Sequence, residues 1–179
     1  GELRFSNGEV MSYADILAQG FDIDGTEGDD DAHDAAHSQL LGTGVTDRIR
    51  GFGGNDLLVG YAGNDVLDGG AGNDEIQAGD GDDVLIGGEG NDLLFGETGD
   101  DALNGGLGND QLQGEEGADT LSGNEGNDSL WGDAGSDSLL GGEGSDYRDG
   151  GSADDQLQGG SGADTMFGGA GNDSLSGGD

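Results

Sequence analysis

Aspartate returns every nine residues through most of this chain, at 56, 65, 74, 83, 92, 101, 110, 119, 128, 137, 146, 155, 164 and 173. A period kept without a slip constrains the fold strongly, because every nonapeptide must take one conformation and meet its neighbours in one way. Residues 51–176 form fourteen such units, of which Gly87-Gly88-Glu89-Gly90-Asn91-Asp92-Leu93-Leu94-Phe95 is representative. Position six is always Asp. Position one is Gly except at Ala78, position four is Gly except at Ala153, and position eight is Leu, Ile or Met except at Arg148. Residues 42–50 make a degenerate fifteenth unit around Asp47, and Gly177-Gly178-Asp179 starts another. Ending mid-repeat, the sequence reads as part of a longer protein.

Glycine at positions one and four supplies positive φ or room for close backbone approach. Asn or Asp at position five is the non-glycine choice for the left-handed region. Positions one to six therefore read as a turn. Positions seven to nine read as a short strand with one apolar side chain inward. Two units make one coil with a strand on each side. Stacked at about 4.8 Å per strand, fifteen units give a rod roughly 36 Å long. The fold class that follows is all-β, a parallel β-solenoid of about seven coils with two facing rows of position-eight residues as core.

Composition narrows the function. The 40 acidic residues (30 Asp, 10 Glu) face 4 Arg and no Lys, for a net charge of −36. No basic stripe exists to neutralise a nucleic acid, and an anionic membrane surface would repel the chain. No apolar run is long enough to span a bilayer. The lack of Cys removes disulfides, thiolate metal sites and a Cys nucleophile. H-E-x-x-H and G-x-S-x-G are absent and a Walker A loop is impossible without Lys, so no catalytic motif lies in this chain. Gly at 44 of 179 residues with so much charge would ordinarily mean disorder. The strict period argues otherwise, provided that something stabilises so thin a core.

The aspartates name that agent. Carboxylates two units apart stack one coil apart on a common edge, where they repel unless a cation lies between them. An oxygen-rich turn of carboxylates and main-chain carbonyls suits Ca²⁺; Mg²⁺ is too small and holds its waters, and Zn²⁺ prefers His or Cys. One edge carries Asp47, Asp65, Asp83, Asp101, Asp119, Asp137, Asp155 and Asp173; the other carries Asp56, Asp74, Asp92, Asp110, Asp128, Asp146 and Asp164. Their seven and six gaps predict about 12–13 ions, and twelve ions would bring the charge from −36 to about −12.

Units such as Gly69-Gly70-Ala71-Gly72-Asn73-Asp74 and Gly168-Gly169-Ala170-Gly171-Asn172-Asp173 match G-G-x-G-x-D-x-U-x. Residues 42–179 thereby closely resemble RTX (repeats-in-toxin, haemolysin-type) calcium-binding domains. The resemblance implies a right-handed parallel β-roll with each ion between turns of adjacent coils. It implies a site at Asp83 and Asp101, with main-chain carbonyls of Gly79, Gly81, Gly96 and Thr98. It also implies folding coupled to calcium, export by a bacterial one-step exporter, and a secreted or cell-surface location. Other readings are a module of an RTX protease, lipase or epimerase whose catalytic domain lies elsewhere, or an adhesin. A neighbouring domain or a glycan is an open partner class. Ice binding is disfavoured, since position three shows no Thr or Asn row.

The pattern breaks in a few places. Arg148 stands at an inward position, and the expectation is a distorted coil at 145–155 with Arg148 turned outward or paired with Asp149. Val59, Phe95, Trp131 and Phe167 recur at position nine of every fourth unit, a contact stripe or the trace of a duplicated four-repeat unit. Residues 1–24 read as a cap, with a hairpin around Asn7-Gly8 and a short helix opening at Ser12 and ending at Gly20. The stretch from Phe5 to Ile16 resembles a segment often found before RTX repeats, with Met11 where Trp is usual. Residues 25–41 read as a degenerate half-repeat with a polar surface insert, in which His33 and His37, with Asp34 nearby, form a candidate transition-metal pair.

Overall fold

A computed structural model describes residues 2–4, 10–12, 22–25 and 40–178. Strands β1 (Glu2–Arg4) and β2 (Val10–Ser12) pair antiparallel, with Leu3 opposite Met11. That pairing is the one a hairpin needs. Ser12, expected to open a helix, is the last residue of strand β2; residues 13–20 of that helix, the hairpin turn, and His33 and His37 lie outside the described residues.

The other strands build one solenoid of two parallel sheets, about eight turns in all. The nine-stranded sheet stacks β3 (Asp22–Asp24), β5 (Arg48–Gly53), β7 (Val66–Ala71), β9 (Val84–Glu89), β11 (Ala102–Leu107), β13 (Thr120–Glu125), β15 (Ser138–Glu143), β17 (Gln156–Ser161) and β19 (Ser174–Ser176). The eight-stranded sheet stacks β4 (Leu40–Leu41), β6 (Leu57–Ala62), β8 (Glu75–Asp80), β10 (Leu93–Thr98), β12 (Gln111–Glu116), β14 (Ser129–Ala134), β16 (Tyr147–Asp149) and β18 (Thr165–Phe167). Within the repeats the register is the nonapeptide doubled: Leu94 lies between Ile76 and Leu112. At the start, Ile23 pairs with Ile49, a longer step than the doubled nonapeptide, so β3 joins the stack across the insert. The roll thus reaches back to Asp22, into the stretch that the sequence pattern assigns to the cap.

Most strands are six residues long rather than three. The ladder runs through positions one to three of the next unit because position two turns the backbone without breaking it. Position two has positive φ in every unit from Phe52 to Gly169, and position four from Gly54 to Gly171, Ala153 included. No position-five residue does. Asn and Asp at position five serve another end. The amide N–H groups of Asn73, Asn91, Asn109 and Asn127 each donate to the side-chain oxygen of the Asn one coil before, at 2.7–2.9 Å. Position-one glycines have ordinary φ and are required for space. A Cβ on Gly87 would meet Oδ2 of Asp92, and the carbonyl of Gly105 at 2.6 Å.

Position-eight residues fill the interior, with Ile49, Leu67, Leu85, Leu103, Leu121, Leu139 and Leu157 facing Leu40, Leu58, Ile76, Leu94, Leu112 and Leu130. Val59, Phe95, Trp131 and Phe167 stand two coils apart on the outer face of the eight-stranded sheet. Tyr147 lies between Trp131 and Phe167, with ring centroids 5.9 and 5.7 Å away.

The position-two column yields a stability prediction. Glu115 has φ 74° and is register-paired with Glu97 and Asp133 on the adjacent coils. Burial and these two like charges raise its carboxyl above the usual range. Glu115→Gly removes both the left-handed penalty and the repulsion, for an expected gain of about 1–2 kcal/mol. Urea denaturation of the calcium-loaded protein measures it, and a loss of stability would contradict the assignment.

Candidate metal centre

Each position-six aspartate sits at the entry of a strand, where the turn ends. The Asp47 column opens strands of the nine-stranded sheet, and the Asp56 column opens those of the eight-stranded sheet. From Asp47 to Asp155 these side chains are buried, at 1–3 % exposure. Such a column of carboxylates is expensive to take out of water unless each oxygen finds a partner.

Along most of each column only one oxygen per carboxylate does. The main-chain N–H of Asp83 donates to Oδ1 of Asp101 at 2.8 Å, and Asp101 N–H donates to Oδ1 of Asp119 at 2.8 Å. The other column repeats the link, from Asp74 to Asp92 at 2.8 Å and from Asp92 to Asp110 at 2.9 Å. The second oxygen, Oδ2, is buried without a hydrogen bond at Asp65, Asp74, Asp83, Asp92, Asp101, Asp110, Asp119, Asp128, Asp137 and Asp155. It lies beside the bare Cα of position one, next to the position-one carbonyl of the following coil: Asp92 Oδ2 with Gly105 O, Asp101 Oδ2 with Gly114 O. Among the described residues no three His, Cys, Asp or Glu side chains converge. Any ion held here must therefore combine stacked carboxylates with main-chain carbonyls, a hard oxygen set of the kind Ca²⁺ takes.

The carboxyl groups register the strain. Asp74 and Asp101 are pushed up to about 7, and Asp65, Asp110, Asp128 and Asp137 to about 6, chiefly by burial. The N–H donor from the preceding coil opposes the shift, and neighbouring carboxylates of the column add to it. Buried oxygens without a donor, in groups raised by desolvation and mutual repulsion, are what a column built to hold cations presents.

The sequence model of the RTX calcium-binding nonapeptide repeat matches four times, over residues 41–76, 77–112, 113–147 and 149–179. The chain belongs to the RTX calcium-binding repeat family. No curated protein matches the chain as a relative. As an RTX repeat array it is a calcium-binding structural module.

Of the carbonyls implied for the RTX site at Asp83 and Asp101, that of Gly96 belongs to the position-one set described above. Thr98 O accepts from Gly81 N–H at 2.8 Å. The carbonyl of Gly81 faces the Cα of Gly99 on the next coil. Gly79 pairs with Glu97 in the ladder. At the edge of the array, Asp47 Oδ2 accepts from Thr43, through its N–H at 2.5 Å and its hydroxyl at 2.8 Å, so the degenerate unit holds its own carboxylate. At the other end Asp155 N–H donates to Asp173 Oδ1 at 3.1 Å, and Asp146 N–H to Asp164 Oδ1 at 3.1 Å.

The expectation for Arg148 fails. The side chain neither turns outward nor pairs with Asp149. It is fully buried in the core row, and its guanidinium reaches Asp146 and Asp164. Two columnar carboxylates lie within ion-pair distance of the buried cation, one just before it in the chain and one on the adjacent coil, and Nη1 donates to the carbonyls of Gln158 and Gly159, while Nε and Nη2 make no hydrogen bond. The backbone after Arg148 departs from the units before it only in that β16 stops at Asp149; Ala153, at φ 84°, keeps the positive φ of every position four.

Proposed function

We propose that this RTX module folds when calcium binds and acts as the folding and secretion switch of a secreted or surface bacterial protein, with no chemistry of its own. The orphaned, buried Oδ2 column carries this reading. At neutral pH an ion-free roll would hold rows of ionised carboxylates out of water with nothing to balance them. Calcium between the coils removes that penalty, so metal binding and folding become one equilibrium. The residues that would hold the ions are the two aspartate columns with the position-one carbonyls, about 12–13 sites. With a net charge of −36 and no cysteine, the ion-free chain is suited to pass an exporter unfolded and to fold in extracellular calcium. A catalytic or adhesive domain of the parent protein, whether protease, lipase, epimerase or adhesin, would lie outside this chain. The aromatic row at Phe95, Trp131 and Phe167 is the face that a neighbouring domain or a glycan would meet.

Far-UV circular dichroism during calcium titration of chelator-treated protein tests this. A coil spectrum in chelator should convert cooperatively to β at about 0.1–1 mM Ca²⁺, the range of extracellular modules. Magnesium should not substitute at the same concentration. A β spectrum indifferent to chelator would overturn the switch.

A further inference from the structure

The Arg148 guanidinium occupies a position equivalent to that of the ion sites. At ordinary units a Cβ on the position-one glycine would meet two oxygens, Oδ2 of the unit's own Asp and the position-one carbonyl of the next coil. At Gly141 it would meet the same two, Asp146 Oδ2 and Gly159 O, and also Nη1 of Arg148. Nη1 donates to Gly159 O at 2.7 Å and to Gln158 O at 2.6 Å, and lies 3.9 Å from Asp146 Oδ2. Nη2 is 3.3 Å from Asp164 Oδ1. Arg148 and Asp146 side chains are fully buried, and that of Asp164 is 4 % exposed. The guanidinium therefore lies within ion-pair distance of both carboxylates of one gap and donates to the carbonyl that elsewhere stands beside the orphaned oxygen.

We infer that Arg148 is a built-in cation that replaces calcium between Asp146 and Asp164. This rests on the reading of the columns as calcium sites. Starting from the core row, the side chain is long enough to carry its planar head to the edge, where Nη1 donates to the position-one carbonyl that stands beside the orphaned oxygen at other gaps and lies near Asp146 Oδ2. A second cation beside it would meet a full positive charge in a site closed to water. The gap is thus closed at every calcium concentration. The coil contact between residues 141–149 and 159–167 holds without the ion, while its neighbours wait for calcium. The array binds one ion fewer than its gaps number.

Bound calcium per chain, measured by atomic emission after gel filtration in saturating calcium, tests this in four proteins, the wild type and three variants. Arg148→Met keeps an apolar filler in the core row and frees both carboxylates, and should bind one more ion per chain than the wild type. Asp164→Asn in the wild-type background should leave the count unchanged, because its gap holds no ion. Asp110→Asn, in the middle of the same column, should lower it. Equal counts in wild type and Arg148→Met would overturn the inference, as would an ion lost in Asp164→Asn, which remains informative even if Arg148→Met does not fold. If wild type binds no calcium, it is the module reading itself that fails, a separate outcome.

Discussion

In chelator, lowering the pH is expected to do what calcium does at neutral pH. The ion-free chain should be an expanded coil at pH 8 and gain β structure as the pH falls through about 7 to 6, with the effect complete below about 4. The sign follows from the columns. Their carboxyls sit near 3.8 in an unfolded chain, and in the ion-free roll six of them are raised to about 6 or about 7. Groups raised on folding favour the roll below their unfolded value, and that contribution is lost as the pH rises through the folded value. Asp101, raised from 3.8 to about 7 chiefly by burial, thus weighs against the ion-free roll at neutral pH, and each raised carboxyl of the columns does the same. The net stability of an ordinary domain is small against such opposition. With calcium present the sign reverses, since protons then compete with the ion for the same oxygens. Circular dichroism and small-angle scattering at micromolar protein would follow the change. The radius of gyration should fall from about 45 Å for an unfolded chain of this length towards about 16 Å. A coil spectrum in chelator from pH 8 to pH 3.5 would show that the columns do not control folding.

The second large effect is expected at the middle of a column. Asp101 lies between Asp83 and Asp119, so it serves two gaps, whereas Asp173 at the end of the described array borders one within this chain. Asp101→Asn keeps an oxygen to accept from Asp83 N–H and nearly the same volume, and removes only the charge. It should cost two ions. It should also raise the calcium midpoint several-fold, because a solenoid is held by nearest-neighbour contacts and a weak joint in the middle divides it. Asp173→Asn should cost one ion and shift the midpoint less. Calorimetric stoichiometry and the dichroism midpoint read both. Equal effects of the two substitutions would mean that the aspartates act singly rather than as shared ligands between coils.

Some of this was legible in the residues because the period is strict. A nine-residue repeat with one apolar position fixes two strands per coil, a pairing offset of two units and a single-file core, and the stack from Leu58 to Leu157 follows it. The aspartate columns were legible for the same reason. The work of each glycine was only partly so. Position two mixes Gly with Phe52, Tyr61, Glu97, Glu115, Asn124 and Asp133, which hides from composition that all share a positive φ. Position five suggested left-handed backbone because Asn and Asp favour it locally, but repeated stacking offered them a side-chain ladder instead. Strand β3 was hidden by the insert between it and the repeats, since period analysis cannot see across a change of spacing.

The order of residues was thus enough to specify the coil, its register and the two rows of carboxylates, because a repeated local pattern can stack in few ways. Which oxygen of each carboxylate is tied to backbone, and which is left facing the gap, was settled only by the packing of coil on coil. The fate of Arg148 was settled there too. A lone basic residue in an apolar row looks like a defect along the chain. Folding puts its charged end between Asp146 and Asp164, on adjacent coils, and only that three-dimensional meeting makes it a partner for both.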